Sequence, residues 1–549
     1  MKKIVKKIYD AIPRDIKLAV KKVLPEKYKG SIHKFLTIYP IDIPEVEIKP
    51  DLDFLLLELP ARHALMPNGL GYVHEALGRY GIRFQTVDLN VLLYHQFQSR
   101  RFLEKIDRLV TPGGYTMSSD PWDYLTIDEW QRSEVVDYFI DKLSVPIEKI
   151  IEKAPRAIGL SVHYNNRLTA KKFMETVRRR LPETIFVLGG YDCSNHVFPA
   201  SYYTDADYIV LGEAEIPLPP LVTALAKGEK PHDLPGILSR FDSPGREAPS
   251  PMPVVELDQI EFPKYDWIDL SLYRNFVGHH QIHITATRGC NWGRCRFCPE
   301  TTAFRARSSM NVVDEIQYFM DRGYVQFTFN DNNAAGDHQL LYDICSEIMA
   351  RDLHPELTGQ IRIDRRNTRE FLSHIYKAGF KGLNYGVDAW SKNTLKLQRK
   401  GYNFDLVIQN LRDSHEVGIT NRVNMVVGVP GETEEDVDES IENILKCKDY
   451  IDLFDFIHPL ALPVGCEYYN NPDKHRIRFR GDREKIYQQQ ADSIPSDLWY
   501  SDEPLIDRKI RETRREKIYS ALKRHKIDTS DYLSHQIDIC NEKTMTGQR

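Results

Sequence analysis

The chain has 549 residues, with 74 lysines and arginines against 79 aspartates and glutamates, so its formal net charge is −5. Hydrophobic residues make up 42% and charged residues 28%, a balance that supports a large core and excludes wholesale disorder. At roughly 150 residues per domain this length predicts three or four domains, or fewer if a barrel merges two. The acidic charge argues against a surface that coats nucleic acid, and no apolar run approaches the roughly 20 residues that span a bilayer.

The first fifty residues begin with a lysine-rich amphipathic segment. Its apolar residues lie near one face at helical spacing, namely Ile4, Val5, Ile8, Ile12 and Ile16. We expect residues 1–50 to dock a helix on the protein body. The alternative is a membrane-surface anchor, which would give the protein a peripheral membrane contact.

From residue 51 to about 245, short apolar runs alternate with helix-like segments. Helices are predicted over 69–80 and 168–181, and strands over 54–59, 82–87, 157–162, 185–188 and 208–211. Buried runs alternating with helices predict an α/β, Rossmann-like domain with a doubly wound parallel sheet.

The carboxyl ends of these predicted strands carry small and polar residues. Ligands bind at this edge in doubly wound sheets, and glycines let a large planar ligand approach the backbone closely. The segments concerned are Leu59 to Arg62, Ser161 to His163, Gly189 to Tyr191 and Gly212 to Glu215.

Residues 246–280 are rich in proline and predict an interdomain linker. A second series of alternating elements follows over 281–470, with strands predicted over 282–287, 325–330, 359–364, 382–387, 423–427 and 454–460. About six parallel βα units predict a full or partial barrel. Thr433 with Asp436 predicts the N-cap of one barrel helix.

The remaining residues, 471–549, are charged and predicted to be mostly helical. Within 506–526, nine lysines and arginines stand against three acidic residues. A solvated helix face is the expected explanation, and a basic groove edge is the alternative. Arg514 and Arg515 could bind phosphate, but we expect them on the surface. Cys466 is expected to be a buried, inert thiol.

The eight cysteines do not resemble a disulfide scaffold. Three of them, Cys290, Cys295 and Cys298, fall within nine positions after the first strand of the second series, which indicates a metal site in a reducing cytoplasm. Three thiolates can bind three irons of a 4Fe–4S cluster, which normally takes four cysteines, so one iron would be open to an outside ligand. A zinc site is the alternative, although it usually has four ligands in paired spacing.

This cysteine loop resembles that of the radical S-adenosylmethionine superfamily, and the resemblance covers about 281–470. The spacing here is C-x4-C-x2-C, one residue longer in the first gap than the family's C-x3-C-x2-C. Phe297 occupies the family's aromatic position, which lies against the nucleoside. The other implied cofactor contacts are Asn330 and Asp331 after the second strand, Arg362 after the third, Asp388 at the fourth, and Gly428 and Pro430 in the segment that approaches the adenine.

An α/β domain preceding such a barrel resembles the cobalamin-binding domain of cobalamin-dependent radical S-adenosylmethionine enzymes, over roughly 51–245. The implied cobalamin contacts are Ser161, His163, Gly189, Gly190, Tyr191, Gly212 and Glu213. The familiar signature Asp-x-His-x-x-Gly is absent from this region, so we expect no histidine as the lower ligand of cobalamin. His163 stays open as a contact.

The resemblance implies an enzyme with three cofactors, a 4Fe–4S cluster, S-adenosylmethionine and cobalamin. In that reading Cys290, Cys295 and Cys298 are catalytic as cluster ligands, and an electron donor such as flavodoxin or ferredoxin is the partner. The implied reaction is methyl transfer to an unactivated carbon, or to phosphorus, of a small or lipid-like metabolite, with no nucleic acid involved.

Three alternatives remain open. The first is a cobalamin-binding radical enzyme that rearranges or cyclises its substrate without methylating it. The second is a methylthiotransferase, disfavoured because that class has its own N-terminal cysteine triad and only Cys193 precedes Cys290 here. The third is a non-catalytic iron–sulfur sensor or a zinc-binding module.

Overall fold

The computed structural model describes residues 43–61, 66–104, 109–111, 114–117, 121–124, 127–194, 197–273, 282–300, 302–488 and 493–530. The amphipathic segment predicted near the N-terminus and residues 531–549 lie outside this range. Two compact units are present: one takes in the described residues through Val255 and from Gln259 to Tyr273, and the other begins at Ile282 and includes residues 256–258. Among the described residues, no helix has the length and apolarity needed to cross a membrane.

Six strands form the sheet of the first unit: β1 (Phe54–Glu58), β2 (Phe84–Asp88), β3 (Ala157–Ser161), β4 (Ile185–Gly189), β5 (Tyr208–Val210) and β6 (Ile237–Ser239). Their order is β2-β1-β3-β4-β5-β6, and all neighbours are parallel except β6, which runs antiparallel to β5. Every residue of β1 is buried, as expected for a sheet that is covered on both faces. The predicted doubly wound sheet is confirmed.

The helices of the first unit are α1 (Asn68–Gly78), α2 (Leu89–Glu104), α3 (Ser133–Lys142), α4 (Ser144–Lys153), α5 (Arg167–Arg178) and α6 (Leu218–Ala226), with short helices at Pro121–Tyr124, Ile127–Trp130 and Val197–Tyr202. A small antiparallel pair joins Leu109–Val110 to Thr116–Met117. The part of the predicted linker from 259 to 273 packs within this unit. There the Tyr273 hydroxyl donates to Asp88 at 2.6 Å.

The second unit is built on a parallel sheet whose strands follow one another in chain order: β7 (Ile282–Ile284), β8 (Gln326–Phe329), β9 (Glu356–Ile361), β10 (Phe380–Asp388), β11 (Thr420–Val427) and β12 (Leu453–Pro459). Its helices are α7 (Ser309–Met320), α8 (His338–Ala350), α9 (Arg369–Lys377), α10 (Phe404–Glu416) and α11 (Glu434–Lys446), with a short helix at Lys392–Leu397. β7 and β12 are the edges of this sheet, so the predicted partial (β/α)6 barrel is confirmed.

Local signals specify how the last barrel helix begins. The Thr433 side chain accepts from the backbone N–H of Asp436, and the Asp436 side chain accepts from the N–H of Thr433. This reciprocal pair satisfies two of the backbone donors that a helix start leaves free. The predicted N-cap is confirmed.

The C-terminal region contains the predicted helix, α12 (Arg508–Arg524), and strands that the sequence did not predict. Ile477–Phe479, Trp499–Asp502 and Leu505–Ile506 form an antiparallel sheet before this helix. Short helices lie at Glu467–Asn470 and Arg483–Gln488. The expectation that Arg514 and Arg515 lie on the surface is wrong, because both side chains are buried.

The close packing of β3 against β1 in the first unit can be tested by substitution. A Cβ on Gly159 would lie 2.4 Å from the Phe54 ring, which is fully buried. We therefore expect Gly159→Ala to lower the free energy of unfolding by about 1–3 kcal/mol in a denaturant titration followed by circular dichroism. Gly69→Ala is the control, since no atom lies within 4 Å of its added Cβ, and it should leave stability unchanged or slightly raised. Equal losses in both variants would contradict this account.

Candidate functional site

The cysteine loop follows β7 and is held in place from its first residue. Gly289 adopts φ +81°, and a Cβ there would lie 2.5 Å from the Ala303 carbonyl oxygen. At the end of β8, the buried Asp331 accepts hydrogen bonds from the N–H groups of Ala286 and Thr287 and from the Thr287 hydroxyl. Burial raises the pKa of Asp331 to about 6, while these donors oppose the rise. Both oxygens of Asp331 thus hold the strand that leads into the loop.

The residues after Asp331 tie the loop to the next strands. The Asn333 amide donates to Asn291 at 3.3 Å, and its oxygen accepts from the N–H of Arg362 at 3.1 Å. Asn332 donates to Glu300 at 2.8 Å, at the other end of the loop. Asn330 lies exposed at the end of β8. The motif that the sequence marked after the second barrel strand therefore acts in the structure largely as a support for the cysteines.

The longer gap between Cys290 and Cys295 is fixed by contacts with neighbouring residues. Trp292 and Gly293 lie in this gap, and Gly293 adopts φ +54°. The indole N–H of Trp292 donates to the Arg399 carbonyl at 3.1 Å, and its ring presses on Gly401, where a Cβ would lie 2.3 Å away. The guanidinium of Arg362 lies 4.1 Å from the centre of the same ring.

The three cysteine thiols of the loop are free and partly buried. Burial raises the pKa of Cys298 to about 11, and the charges of Cys295 and Cys290 add to the rise. Burial also raises the pKa of Cys295, against which the charge of Lys400 acts. Among the described residues, no three His, Cys, Asp or Glu side chains converge as on a single metal ion.

A buried ion pair lies beside the loop. The Lys400 ammonium donates to Asp388 at 2.5 Å and to the Gly386 carbonyl at 2.9 Å. It also lies 5.6 Å from the ring centre of Phe297. Sequence patterns single out Asp388 and Phe297 but not Lys400, because a lysine between Arg399 and Gly401 has the pattern of an ordinary solvated charge.

The segment after β11 forms a tight turn near Phe297. The Phe297 ring packs against a cluster of buried apolar residues that contains Val429, and Val426 of β11 packs against the same cluster. Gly428 adopts φ +76° and Gly431 φ +90°, with Pro430 between them. The structure thus brings the aromatic residue of the cysteine loop and the fifth-strand segment together.

The inner wall of the barrel carries polar side chains. In β11, the Asn421 side chain donates to the Leu411 carbonyl of α10 at 2.7 Å, so it faces the helices. Because side chains alternate between the two faces of a strand, Arg422 and Asn424 face the inside of the barrel. Neighbouring parallel strands keep the same faces in register. The paired inward positions are His283 with Thr328, Thr328 with Thr358, Gln360 with Asn384, and Asn384 with Arg422.

In the first unit, polar residues gather where the strand order reverses. The chain runs from β1 to β2 on one side and returns to β3 on the other, so the crevice of the sheet lies at the ends of β1 and β3. Glu58 and Ser161 pair in register at this point. The His163 ring hydrogen-bonds the Glu58 carboxylate at 3.1 Å, and Asn166 donates to the Ser161 carbonyl at 3.0 Å.

The turn after β4 presents an aromatic ring. Gly190 adopts φ +107°, and a Cβ there would lie 2.6 Å from the Val162 carbonyl oxygen. The next residue, Tyr191, is 86% exposed. The buried Asp192 that follows is held by Arg167 at 2.9 and 3.1 Å and by the Tyr203 hydroxyl at 2.8 Å. The turn is therefore fixed while its tyrosine projects.

The end of β5 joins this turn. Gly212, with φ +69°, donates its N–H to the Cys193 carbonyl at 2.9 Å. Glu213 accepts from the Val254 N–H at 2.6 Å. The small and polar residues named from the sequence thus share one edge of the first sheet.

Residues 284–444 match the protein-family model described as the Radical SAM superfamily. An uncharacterized methyltransferase of Pyrococcus horikoshii is 24% identical over 326 residues, which cover 56% of this chain and 68% of that protein. The cytidylyl-2-hydroxyethylphosphonate methyltransferase of Streptomyces wedmorensis is 23% identical over 461 residues, which cover 74% of this chain and 79% of that protein. The anaerobic magnesium-protoporphyrin IX monomethyl ester cyclase of Synechocystis sp. is 28% identical over 41% of this chain and 46% of its own length.

Two solved structures share the fold. The radical S-adenosylmethionine methyltransferase TsrM from Kitasatospora setae, solved with cobalamin and a 4Fe–4S cluster, gives a TM-score of 0.58 at 19% identity, covering 78% of this chain and 81% of that one. The cobalamin-dependent S-adenosylmethionine radical enzyme OxsB gives a TM-score of 0.63 at 14% identity, and the match covers 89% of this chain and 71% of that one.

The matched residues include the cysteine loop and most of the barrel, so this part of the chain is a radical S-adenosylmethionine domain. The α/β fold of the chain is similar to the folds of TsrM and OxsB.

Asp88 provides a pH test of the first unit. Burial, with a smaller effect of the Glu58 charge, raises its pKa from 3.8 to about 7. A raised folded pKa means that this group stabilises the fold fully below about pH 4 and ceases to do so as the pH rises through about 7. From about pH 5 to about pH 8, the wild type should therefore lose a few kcal/mol of unfolding free energy that Asp88→Asn does not lose, as measured by denaturant titration.

Asp53→Asn is the matched control for that measurement. The hydrogen bond from Arg83 lowers the pKa of Asp53, so this carboxylate stays ionised throughout the range. The Asp53→Asn protein should show the same pH dependence as the wild type. A wild type and an Asp88→Asn variant with parallel pH profiles would refute the assignment.

Proposed function

We propose that this chain is a cobalamin-dependent radical S-adenosylmethionine methyltransferase that alkylates an unactivated carbon, or a phosphorus, of a small polar metabolite. One observation carries the proposal: a single chain joins a three-thiol loop on a partial barrel to an α/β unit with a glycine-lined crevice. The first feature suits hydrogen abstraction and the second suits a methyl carrier.

The thiols fit a 4Fe–4S cluster better than a single ion. A mononuclear site needs its ligands to converge on one point, and no such group is present among the described residues. In a cluster, each thiolate binds a separate iron, so the three sulfurs need not converge on one point. We assign Cys290, Cys295 and Cys298 as these ligands.

The neighbouring residues fit S-adenosylmethionine. Phe297 offers an apolar face beside the loop, and we assign Gly428 and Pro430, in the turn after β11, as contacts of the flat base. Arg362 and the Lys400–Asp388 pair supply charged groups on the same side of the barrel. Asn330, exposed at the strand end, completes the proposed set, whereas Asp331 acts through the loop that it holds.

The crevice of the first unit fits cobalamin. The proposed contacts are the exposed ring of Tyr191 and the backbone at Ser161, Gly189, Gly190 and Gly212, with Glu213 beside them. We propose binding without a histidine as the lower ligand, because the signature Asp-x-His-x-x-Gly is absent from residues 51–245.

When bound, these groups supply a radical that removes hydrogen from an unactivated position and a methyl group to replace it. The protein's own part is to bind and orient. The cysteine loop is fixed by Asp331 and Asn333, and the crevice turn is fixed by Asp192, so neither has to reorganise when its ligand arrives.

The inner wall of the barrel narrows the substrate class. Its inward side chains include Thr358, Gln360, Asn384 and Asn424. Covering such groups with hydrocarbon, without hydrogen bonds in return, costs about 1–3 kcal/mol for each group. This wall favours a substrate with several hydrogen-bonding groups over a lipid-like one.

A second candidate is a radical enzyme of the same class that cyclises or rearranges its substrate. The likeness to a cyclase over 41% of this chain favours it. It shares the cluster and both cofactors with the main proposal, so only the fate of the methyl group distinguishes the two.

The cluster assignment is tested by substitution. Cys290→Ala, Cys295→Ala and Cys298→Ala should each lose most of their iron after anaerobic reconstitution, whereas the wild type should bind about four irons per chain. Iron and sulfide are measured chemically and the cluster by electron paramagnetic resonance. Cys345→Ala, which alters a buried thiol on α8, is the control and should bind iron as the wild type does. A triple variant that kept its cluster would refute the assignment.

The reaction is tested with methyl-deuterated S-adenosylmethionine. The reconstituted enzyme is incubated with cobalamin, a reductant and metabolite extracts, and 5′-deoxyadenosine and labelled products are followed by mass spectrometry. We expect substrate-dependent deoxyadenosine and a deuterated methyl group in a water-soluble product. Deoxyadenosine without transferred label selects the cyclase-like alternative, and label in the organic phase shows that the substrate is not polar.

A further inference from the structure

Both backbone polar groups of Gly428 are held by side chains. The Gly428 N–H donates to the Glu432 carboxylate at 2.6 Å, and its carbonyl accepts from Nε of Arg511 at 3.3 Å. Arg511 lies on α12, which is outside the residues that match the family model. The cofactor turn, defined here as residues 428–433, is thus fixed by a helix from the C-terminal region.

Arg511 is fully buried and points its donors at backbone alone. Besides Gly428, it donates to the Ser496 carbonyl at 3.3 Å and to the Ile506 carbonyl at 3.1 Å. Its guanidinium lies 3.5 Å from the ring centre of Trp499. Its stem fills the space where a side chain on Gly428 would lie, since a Cβ there would be 2.3 Å from Cγ of Arg511. One side chain therefore sets both the shape and the position of Gly428.

Arg514 acts one helical turn later, through Glu432. It donates to the Glu432 carboxylate at 3.0 Å and to the Glu432 carbonyl at 3.2 Å, and a further bond of 2.7 Å reaches Glu434. Glu432 is fully buried, and a lone carboxylate there would be costly without a cation beside it. Arg514 therefore keeps in place the carboxylate that holds the Gly428 N–H.

We propose that Arg511 and Arg514 are positioning residues for S-adenosylmethionine, holding the cofactor turn in the shape that receives the adenine. The inference rests on the proposed function. It adds that cofactor affinity depends on two side chains of α12 that do not themselves touch the nucleoside.

The turn needs such support. Gly428 and Gly431 both adopt positive φ, and glycine gives the backbone many other conformations of similar energy. A turn that had to be ordered on binding would take that ordering free energy from the affinity. Each bond to α12 removes part of this cost in advance, so losing one should weaken binding while leaving the cysteine loop intact.

The test measures binding of S-adenosylmethionine to the holoenzyme. Arg511→Lys keeps the charge and most of the stem but cannot reach three carbonyls, and Arg514→Gln leaves Glu432 without its cation. We expect each variant to raise the dissociation constant about 10- to 100-fold, with iron and cobalamin contents unchanged. Dissociation constants come from anaerobic titration, supported by the change that S-adenosylmethionine makes in the electron paramagnetic resonance spectrum of the reduced cluster.

Arg508→Gln is the matched control, because Arg508 is exposed on the first turn of the same helix. It should bind S-adenosylmethionine as tightly as the wild type. If Arg514→Gln does not fold, Glu432→Gln decides, since it keeps an acceptor for Gly428 but loses the ion pair, and it should weaken binding several-fold. Variants with lowered melting temperatures but wild-type affinity overturn the inference. A wild type that does not bind S-adenosylmethionine refutes the proposed function instead.

Discussion

The parallel hydrogen-bond ladder is the constraint on which both units depend. Parallel neighbours require a crossover between strands, so every loop that follows a strand emerges at the same edge. In the barrel this gathers the cysteines after β7, Asn333 after β8 and Arg362 after β9, although they lie far apart in the chain. In the first unit it gathers Ser161 and Tyr191. Site chemistry is thus assembled by backbone pairing before any side chain contributes.

In both units, several buried charged side chains are paired with a side chain of opposite charge. Asp192 meets Arg167, Asp388 meets Lys400 and Glu432 meets Arg514, each within hydrogen-bonding distance. Such pairs stabilise little in net terms, because desolvation offsets the attraction, but they are costly to break and so define one geometry. They flank the turns that would hold the cofactors, where a defined geometry matters more than added stability.

The sequence predicted the elements well because the strands of both sheets are short apolar runs and because caps are local. The Thr433 cap depends on residues three positions apart, so it could be read directly. What could not be read depends on distant partners. Arg514 has the pattern of a solvated residue, and its burial follows from Glu432, 82 positions earlier. Lys400 also has the pattern of a solvated residue, and the strand at 499–502 lacks a clear alternation.

The contact between α12 and Gly428 also determines the order in which the two loops of the barrel gain their support during synthesis. The groups that brace the cysteine loop, from Asp331 to Lys400, follow it within about a hundred residues, whereas Arg511, which holds the Gly428 carbonyl, lies 83 residues after Gly428. Chains fold progressively from their N-terminus as they leave the ribosome. A nascent chain can thus shape its cysteine loop well before the turn at Gly428 gains its support from α12. Under the proposed function, competence to bind the nucleoside therefore requires that synthesis has passed α12.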